Sequence, residues 1–370
     1  MDIQYFGVVR LEEGDHEAML CLDVDEPNNA TFHLWGQNYP QGVVALCEIS
    51  RSGQDWRIMP MAKFVDDEHG TYHGSIDVES TERLDGLVAE VKRQDDGRLV
   101  GQWKDNSGNT GFMAMAPRPF REKIEEIKTC RTWAEFKQWV DELQERGQKF
   151  LFRGHGSRDF ELQTSLARRG RSRLERFLDR QFGDFLFNAS PIVSENLDPT
   201  NPIHFATLLG LAQHHGLPTP LLDWTKSPYV AAYFAFSDAI DTERYKANRE
   251  QYVRVYAFSE DFWGRSGSRI SLTYTRPYID VLSVLPRGNP RIYAQQGVFL
   301  VTNIVDVGGW ICKQSEKRQG SPFLVAADIP MACWKAAMAD LEFMGLTAGT
   351  LFPGLDGVAK MVRHRMARLG

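Results

Sequence analysis

No run of this sequence approaches 18 uninterrupted apolar residues, the length that a membrane-crossing helix needs, so no membrane span is expected. The N-terminus, MDIQYFGVVRLEEGD, lacks a basic start followed by an apolar stretch, and no secretory signal is read there. Cysteine is scarce. Cys21, Cys47, Cys130, Cys312 and Cys333 are odd in number, far apart and without a CxxC pair. That argues against a disulfide framework and a zinc ribbon, and it fits a reducing compartment, so a cytoplasmic location is expected. Internal repeats and low-complexity tracts are also absent.

What is present is the balance of an ordinary globular protein, 42% apolar and 25% charged over 370 residues, enough for two domains. The charge is unevenly spread. Residues 1–118 carry 10 Lys and Arg against 21 Asp and Glu, a balance of −11, whereas the remaining residues carry +5. An acidic first part repels nucleic acid, which is therefore not expected as a partner, and it suits a basic protein partner or a regulatory surface. The positive remainder favours an anionic ligand.

Residues 1–118 read as short strands. Val8–Val9, Ala18–Leu22, Thr31–Leu34, Val43–Ile49 and Leu87–Val91 are separated by turn signals such as Pro27-Asn28-Asn29 and Ser52-Gly53. A hairpin closes the segment, with Gly101-Gln-Trp103 and Gly111-Phe-Met-Ala-Met115 flanking Asp105-Asn-Ser-Gly108. Many short strands at this spacing predict an all-β sandwich or small barrel. A boundary falls at Pro117 and Pro119, giving domains 1–118 and 119–370.

The second domain opens with a helix over 132–146. Thr132 and Glu135 have capping-box spacing, Trp133, Phe136, Val140 and Leu143 follow at helical spacing, and Gly147 supplies a stop. A buried strand, Lys149-Phe-Leu-Phe152, comes next. Helices are expected at 172–188, 203–215, 228–238, 331–344 and from 355 onward, with strands at 253–258, 298–303 and 323–327. Gly216–Asp223 reads as a loop. Strands and helices mix without a βαβ rhythm, so the class is α+β.

Three stretches carry chemistry. Phe152-Arg153-Gly154-His155-Gly156 ends an apolar strand in an arginine, whose rigid fork of donors suits phosphate or carboxylate, while Gly154 allows close backbone approach. An internal pairing of Arg153 with Asp223 is the structural alternative. Gln213-His214-His215 followed by Gly-Leu-Pro-Thr-Pro-Leu-Leu-Asp223-Trp224-Thr225 concentrates polar groups on a stretch with two prolines. Adjacent histidines are poorly spaced for one metal, and no metal is expected. Gln295-Gln296 marks a strand start or bulge, and Arg287 and Arg291 flank it, either to reach an anionic ligand or as solvated surface charges. Trp224 is the stacking candidate, and Met361–Arg368 reads as a basic, solvated helix end.

These stretches resemble one family. Phe152-Arg153-Gly154, Leu162-x-x-Ser165-Leu166-Ala-Arg168, the run from Gln213 to Thr225 with Ser227-Pro228 and Ala231-x-x-Phe234-Ala235, then Asn289-Pro-Arg291 with Ala294-Gln295-Gln296-Gly297, and Gly345-Leu346 with Thr350–Gly357, look like the FRG domain, over about 130–365. Its motif order is similar to that of ADP-ribosyltransferases, which use an Arg on a first strand, a Ser-Thr-Ser segment on a second and a Glu on a third. The resemblance places Arg153 in the first motif, Asp223-Trp224-Thr225 in the second and Gln295 in the third. The sequence departs from the pattern: the second motif lacks its first Ser, and the third has no Glu.

What the resemblance implies is an ADP-ribosyltransferase-like fold and a nucleotide such as NAD as substrate or ligand, with no tightly bound cofactor. Arg153 would hold phosphates, Thr225 with Asp223 would orient the ribose, and His214 or His215 would move protons. The ligand-binding set is Phe152, Gly154, Gln213, Trp224, Gln296 and Arg291. ADP-ribosyl transfer or NAD hydrolysis, in a toxin or phage-defence setting, stands against a non-catalytic binding module. Cleaving the nicotinamide–ribose bond builds positive charge on the sugar, which a carboxylate stabilises and a Gln does not.

Overall fold

The computed structural model describes residues 2–369 apart from 13, 37–41, 65–80, 84–85, 121, 194–196, 244–250, 264–271, 283, 285–289 and 319. Arg287 and Asn289 therefore lie outside the described residues. The first nine strands are β1 (Gln4–Leu11), β2 (Gly14–Asp23), β3 (Glu26–Trp35), β4 (Val43–Ser52), β5 (Asp55–Phe64), β6 (Thr81–Arg83), β7 (Val88–Arg93), β8 (Leu99–Lys104) and β9 (Thr110–Pro117). They run β4-β3-β2-β1-β9-β8-β7-β5, and the β4–β5 pairing closes the ring. Of the two expected forms, the structure is a closed, eight-stranded antiparallel barrel, with β6 added to β5.

Alternation builds the interior: Ala45, Cys47 and Ile49 of β4 face Trp56 and Ile58 of β5 and Leu20, Leu22, Val91 and Trp103. Eight strands enclose a space that side chains just fill, and closure leaves no bare edge. β5 went unread because Pro60 interrupts it. The pairing slips one residue there, Cys47 opposing Pro60 and Leu46 opposing Ala62, and such a bulge tolerates a residue that cannot donate to the ladder.

The second sheet comprises β10 (Ile127–Thr129), β11 (Phe150–His155), β12 (Leu221–Thr225), β13 (Tyr252–Ser259), β14 (Ile279–Leu282), β15 (Gly297–Thr302) and β16 (Leu324–Pro330), in the order β10-β16-β13-β11-β12-β15-β14. Only the β10–β16 pair is parallel among the described strands. The helices are α1 (Trp133–Glu145), α2 (Ser165–Arg168), α3 (Leu174–Arg176), α4 (Gly183–Ala189), α5 (Pro202–His214), α6 (Pro228–Asp241), α7 (Glu260–Trp263), α8 (Pro290–Ala294), α9 (Val307–Glu316), α10 (Trp334–Phe343), α11 (Ala348–Leu351) and α12 (Leu355–Leu369). The chain is α+β.

Four expectations need correction. The loop at 216–223 gives way at Leu221 to β12, a central strand whose Leu221, Leu222 and Trp224 are buried; its two preceding prolines hid it. The helix at 172–188 is broken, with a π-helical turn, Phe177–Phe182, between α3 and α4. The Met361–Arg368 end is not simply solvated: His364 is buried, with Nε2 3.1 Å from Asp241 Oδ1. At α1, Thr132 accepts the Glu135 amide at 3.2 Å, but the Glu135 carboxylate takes the amide of Arg131 at 2.8 Å, so half of the capping box forms.

The barrel and the helical segment around α3 are joined by a charge network centred on buried Asp23, Arg173, Glu175 and Arg176. Asp23, Asp25 and Glu26, at the β2–β3 turn, meet Arg171, Arg173, Arg176 and Arg180. Arg173 Nε reaches Glu175 at 2.9 Å and Thr31 at 3.2 Å, and Arg176 Nη1 donates to Asp23 and Asp25 at 2.8 Å each. Arg176 Nε lies 3.2 Å from Glu26 without hydrogen-bond geometry. Hydrogen bonding to Arg176 holds the Asp25 carboxyl far below the usual carboxylate range. Part of the acidic excess of residues 1–118 is thus met within the chain. Nearby, Gln4 bridges Asn303 O at 2.7 Å and the Val305 amide at 2.8 Å.

Candidate functional site

The cleft begins where β11 and β12 separate. Among the described residues they pair only at Phe152 and Thr225, whereas β11 pairs with β13 over its whole length. Arg153 fills the resulting notch. Its Nη1 donates to the Asp223 carbonyl at 2.5 Å and its Nε to His155 Nε2 at 3.0 Å, while the Asp223 carboxylate stands 4.0 Å away. Burial lowers the Arg153 pKa, and Asp223 opposes the shift.

Because His155 Nε2 accepts from Arg153, its Nδ1 carries the proton and donates to the Phe160 carbonyl at 3.2 Å. Burial, then the Arg153 charge, pushes the His155 pKa down to about 3. The folded state therefore refuses a proton that the unfolded chain accepts near pH 6.5, and stability drains as pH falls from about 6.5 towards 3. Buried His33, lowered to about 4, acts in the same direction. His155→Gln, whose amide reproduces both hydrogen bonds, should flatten the fall in melting temperature between pH 6.5 and 4. An unchanged slope would assign the acid sensitivity elsewhere.

The Asp223 side chain is 65% exposed and is oriented by Gln213, whose Nε2 donates to Oδ2 at 3.0 Å. Gln213 Oε1 in turn accepts from the Thr219 hydroxyl, and Ser165 Oγ bridges the Thr219 amide and carbonyl at 2.9 and 3.1 Å. The walls around Arg153 and Asp223 enclose a cleft of about 740 Å³ that includes Phe152, Gly154, Gln213, His214, Trp224, Thr225, Arg291 and Gln295. Three stretches far apart in sequence thus share one cavity.

Residues 148–244 match the family model of the FRG domain. This chain carries an FRG domain. The match takes in the Phe152-Arg153-Gly154 motif and the run from Gln213 to Thr225. No curated protein matches the chain. Among solved structures it is similar to a de novo designed fluorescence-activating β-barrel, at 13% identity over 32% of this chain and 93% of that chain, with a TM-score of 0.21.

Around the cleft several residues stand differently from their expected roles. His215 and Gln296 are exposed and do not line the cleft. Gln296 has φ 50° and contributes its carbonyl to the Lys226 amide at 3.1 Å. The Thr225 hydroxyl donates to the Gln295 carbonyl at 2.7 Å and accepts the Ser227 amide at 3.1 Å, so it is committed to the fold rather than to a sugar. Gln295 Nε2 donates to the Leu351 carbonyl at 3.0 Å.

Trp224 packs in the core 5.6 Å from Phe258 and is only 2% exposed, which excludes an open stacking face; its indole N–H has no partner among the described residues. Gly154 is pressed against α6, where a Cβ would lie 1.9 Å from the Ala231 carbonyl. Its smallness therefore serves helix–sheet packing.

Residues passed over as ligands also line the cleft: His155, Asp159, Glu161, Arg168, Phe234, Asp238 and Phe352. Arg168, Phe234 and Phe352 sit inside stretches already singled out, and that was the available signal. Arg291 lies over the Phe352 ring at 5.5 Å. Burial and then Arg291 lower the His214 pKa, keeping it neutral near pH 7. Among the described residues no group of three or more His, Cys, Asp or Glu is placed to hold a metal ion, and no helix is long and apolar enough to cross a membrane.

Proposed function

We propose that the FRG cleft binds a phosphorylated, nucleotide-type ligand such as NAD. The observation that carries this reading is the meeting of Arg153, Arg168 and Arg291 around one cavity with an exposed, oriented Asp223 carboxylate. Guanidinium forks suit phosphate oxygens, a carboxylate accepts from sugar hydroxyls, and Phe160, Phe234 and Phe352 offer apolar wall to a base. The volume falls in the range of small-molecule sites.

In this reading Asp223, rather than Gln295, stabilises the cation-like sugar when water or an acceptor attacks the ribose carbon and nicotinamide departs. His214 is the neutral imidazole available to take the proton of the attacking group. A binding module is the second reading, favoured by the commitment of the Gln295 amide to Leu351.

Calorimetric titration with NAD, ADP-ribose and adenosine tests the pocket. Arg291→Ala should weaken the two phosphorylated ligands about 10- to 100-fold, the loss expected of a charge-assisted contact, and leave adenosine unchanged. Failure of both phosphorylated ligands to saturate the protein would defeat the proposal. Nicotinamide release that vanishes in Asp223→Asn identifies an enzyme, and saturable binding without release identifies a binding module.

A further inference from the structure

The C-terminal helix α12 carries an apolar stripe on its outward side. Leu355, Val358, Val362, Met366 and Leu369 are 45–87% exposed. At about 100° per residue they fall within an arc of roughly 80°. The opposite side of the helix is fixed to the protein. Gly357 is buried with a Cβ position 1.9 Å from the Phe352 carbonyl, His364 and Lys360 both reach Asp241, and Arg368 reaches Glu342 at 2.6 Å. With that side fixed, the helix cannot roll the stripe inward. A contiguous exposed apolar strip of this kind marks an interaction surface.

We infer that the stripe on α12 docks an amphipathic helix of another protein, with an apolar seam and acidic edges. Width and charge select this occupant. An arc this narrow has the dimensions of a helix–helix seam, and a membrane-lying helix needs a broader apolar face with free cations beside it. Arg363 and Arg365 stand on opposite edges of the stripe; Arg365 shares the single Glu342 carboxylate with Arg368, which leaves a net positive charge on that edge, and Arg363 has no ion-pair partner among the described residues. Two copies of α12, parallel or antiparallel, would set these like-charged edges against each other, whereas glutamates at the edges of a partner helix would complement them.

The probe is a labelled 21-residue helical peptide with leucines on its seam and glutamates on both edges, titrated into the full chain by fluorescence anisotropy. A counterpart with lysines at the edges is run beside it. The acidic peptide should saturate and the lysine peptide should not. Val362→Asp should weaken acidic-peptide binding at least tenfold and Arg363→Glu several-fold, both with an unchanged melting temperature, since both side chains are exposed. Equal binding of the two peptides, or of neither, overturns the inference. It also fails if sedimentation shows a dimer that Val362→Asp dissolves, or if the chain pellets with phosphatidylserine vesicles through this stripe.

Discussion

Replacing Gly154 by alanine is expected to destabilise the FRG domain by about 3 kcal/mol, at the upper end of overpacking penalties, and to lower its melting temperature by roughly 6–12 °C. The added Cβ would meet backbone: the Ala231 carbonyl oxygen at 1.9 Å, its carbon at 2.8 Å and the Ala235 nitrogen at 2.9 Å. Backbone inside a helix cannot rotate aside, so α6 must lift from β11, opening the core that Val230, Ala231, Ala235 and Phe236 form with Phe152. Gly156, two residues on, provides the control. Its Cβ would meet Asp238 Oδ2 at 2.1 Å, the end of an exposed side chain that can turn aside, and of the backbone only the Ala239 nitrogen, at 3.0 Å. Gly156→Ala should therefore lose clearly less melting temperature than Gly154→Ala. If the Gly154 variant unfolds at the wild-type denaturant midpoint, close helix–sheet packing is not the reason a glycine stands there.

The sequence made the barrel strands visible because alternation and turn residues are local signals. Closure was not local: it depends on β1 meeting β9 from the far end of the segment, and Pro60 disguised β5, the strand that joins β4 to β7, as a non-strand. A similar limit applied to the site. Arg153, Asp223 and Gln295 could be singled out by residue type, but side chains on a strand alternate between two faces, and a one-residue change in register reverses which group points inward. Trp224 and Asp223 are neighbours, yet one is buried against Phe258 and the other is exposed in the cleft. Nor could residue type say whether Thr225 offers its hydroxyl to a ligand or to the Gln295 carbonyl. His155 escaped notice for the same reason: it is fixed by Arg153, two residues away on the same face, and by Tyr256 of β13, 5.2 Å off.

The acidic bias of residues 1–118 was legible as a charge count, and its destination inside the chain leads to the other large effect. Asp23→Ala is expected to cost about 3–5 kcal/mol, the usual result of breaking a buried ionic contact from one side. Asp23 is 1% exposed. Its Oδ1 accepts the amides of Ser172 and Arg173 at 2.8 and 3.1 Å, and its Oδ2 accepts Arg176 Nη1 at 2.8 Å. Alanine would leave two amides without acceptors and one guanidinium proton unmet in a region closed to water, although Arg176 keeps Asp25. Asp15→Ala, which removes an exposed partner of Arg10, should change nothing measurable in the same denaturant titration. One molar salt should not reproduce the Asp23 effect, because buried pairs are poorly screened. The damage should also reach the cleft, since α2 ends in the cleft-lining Arg168 and runs directly into Arg171–Arg176. Ligand affinity should therefore fall in Asp23→Ala, a residue that does not line the cleft. A variant that keeps wild-type stability would show that the barrel rests on the FRG domain without being held by this network.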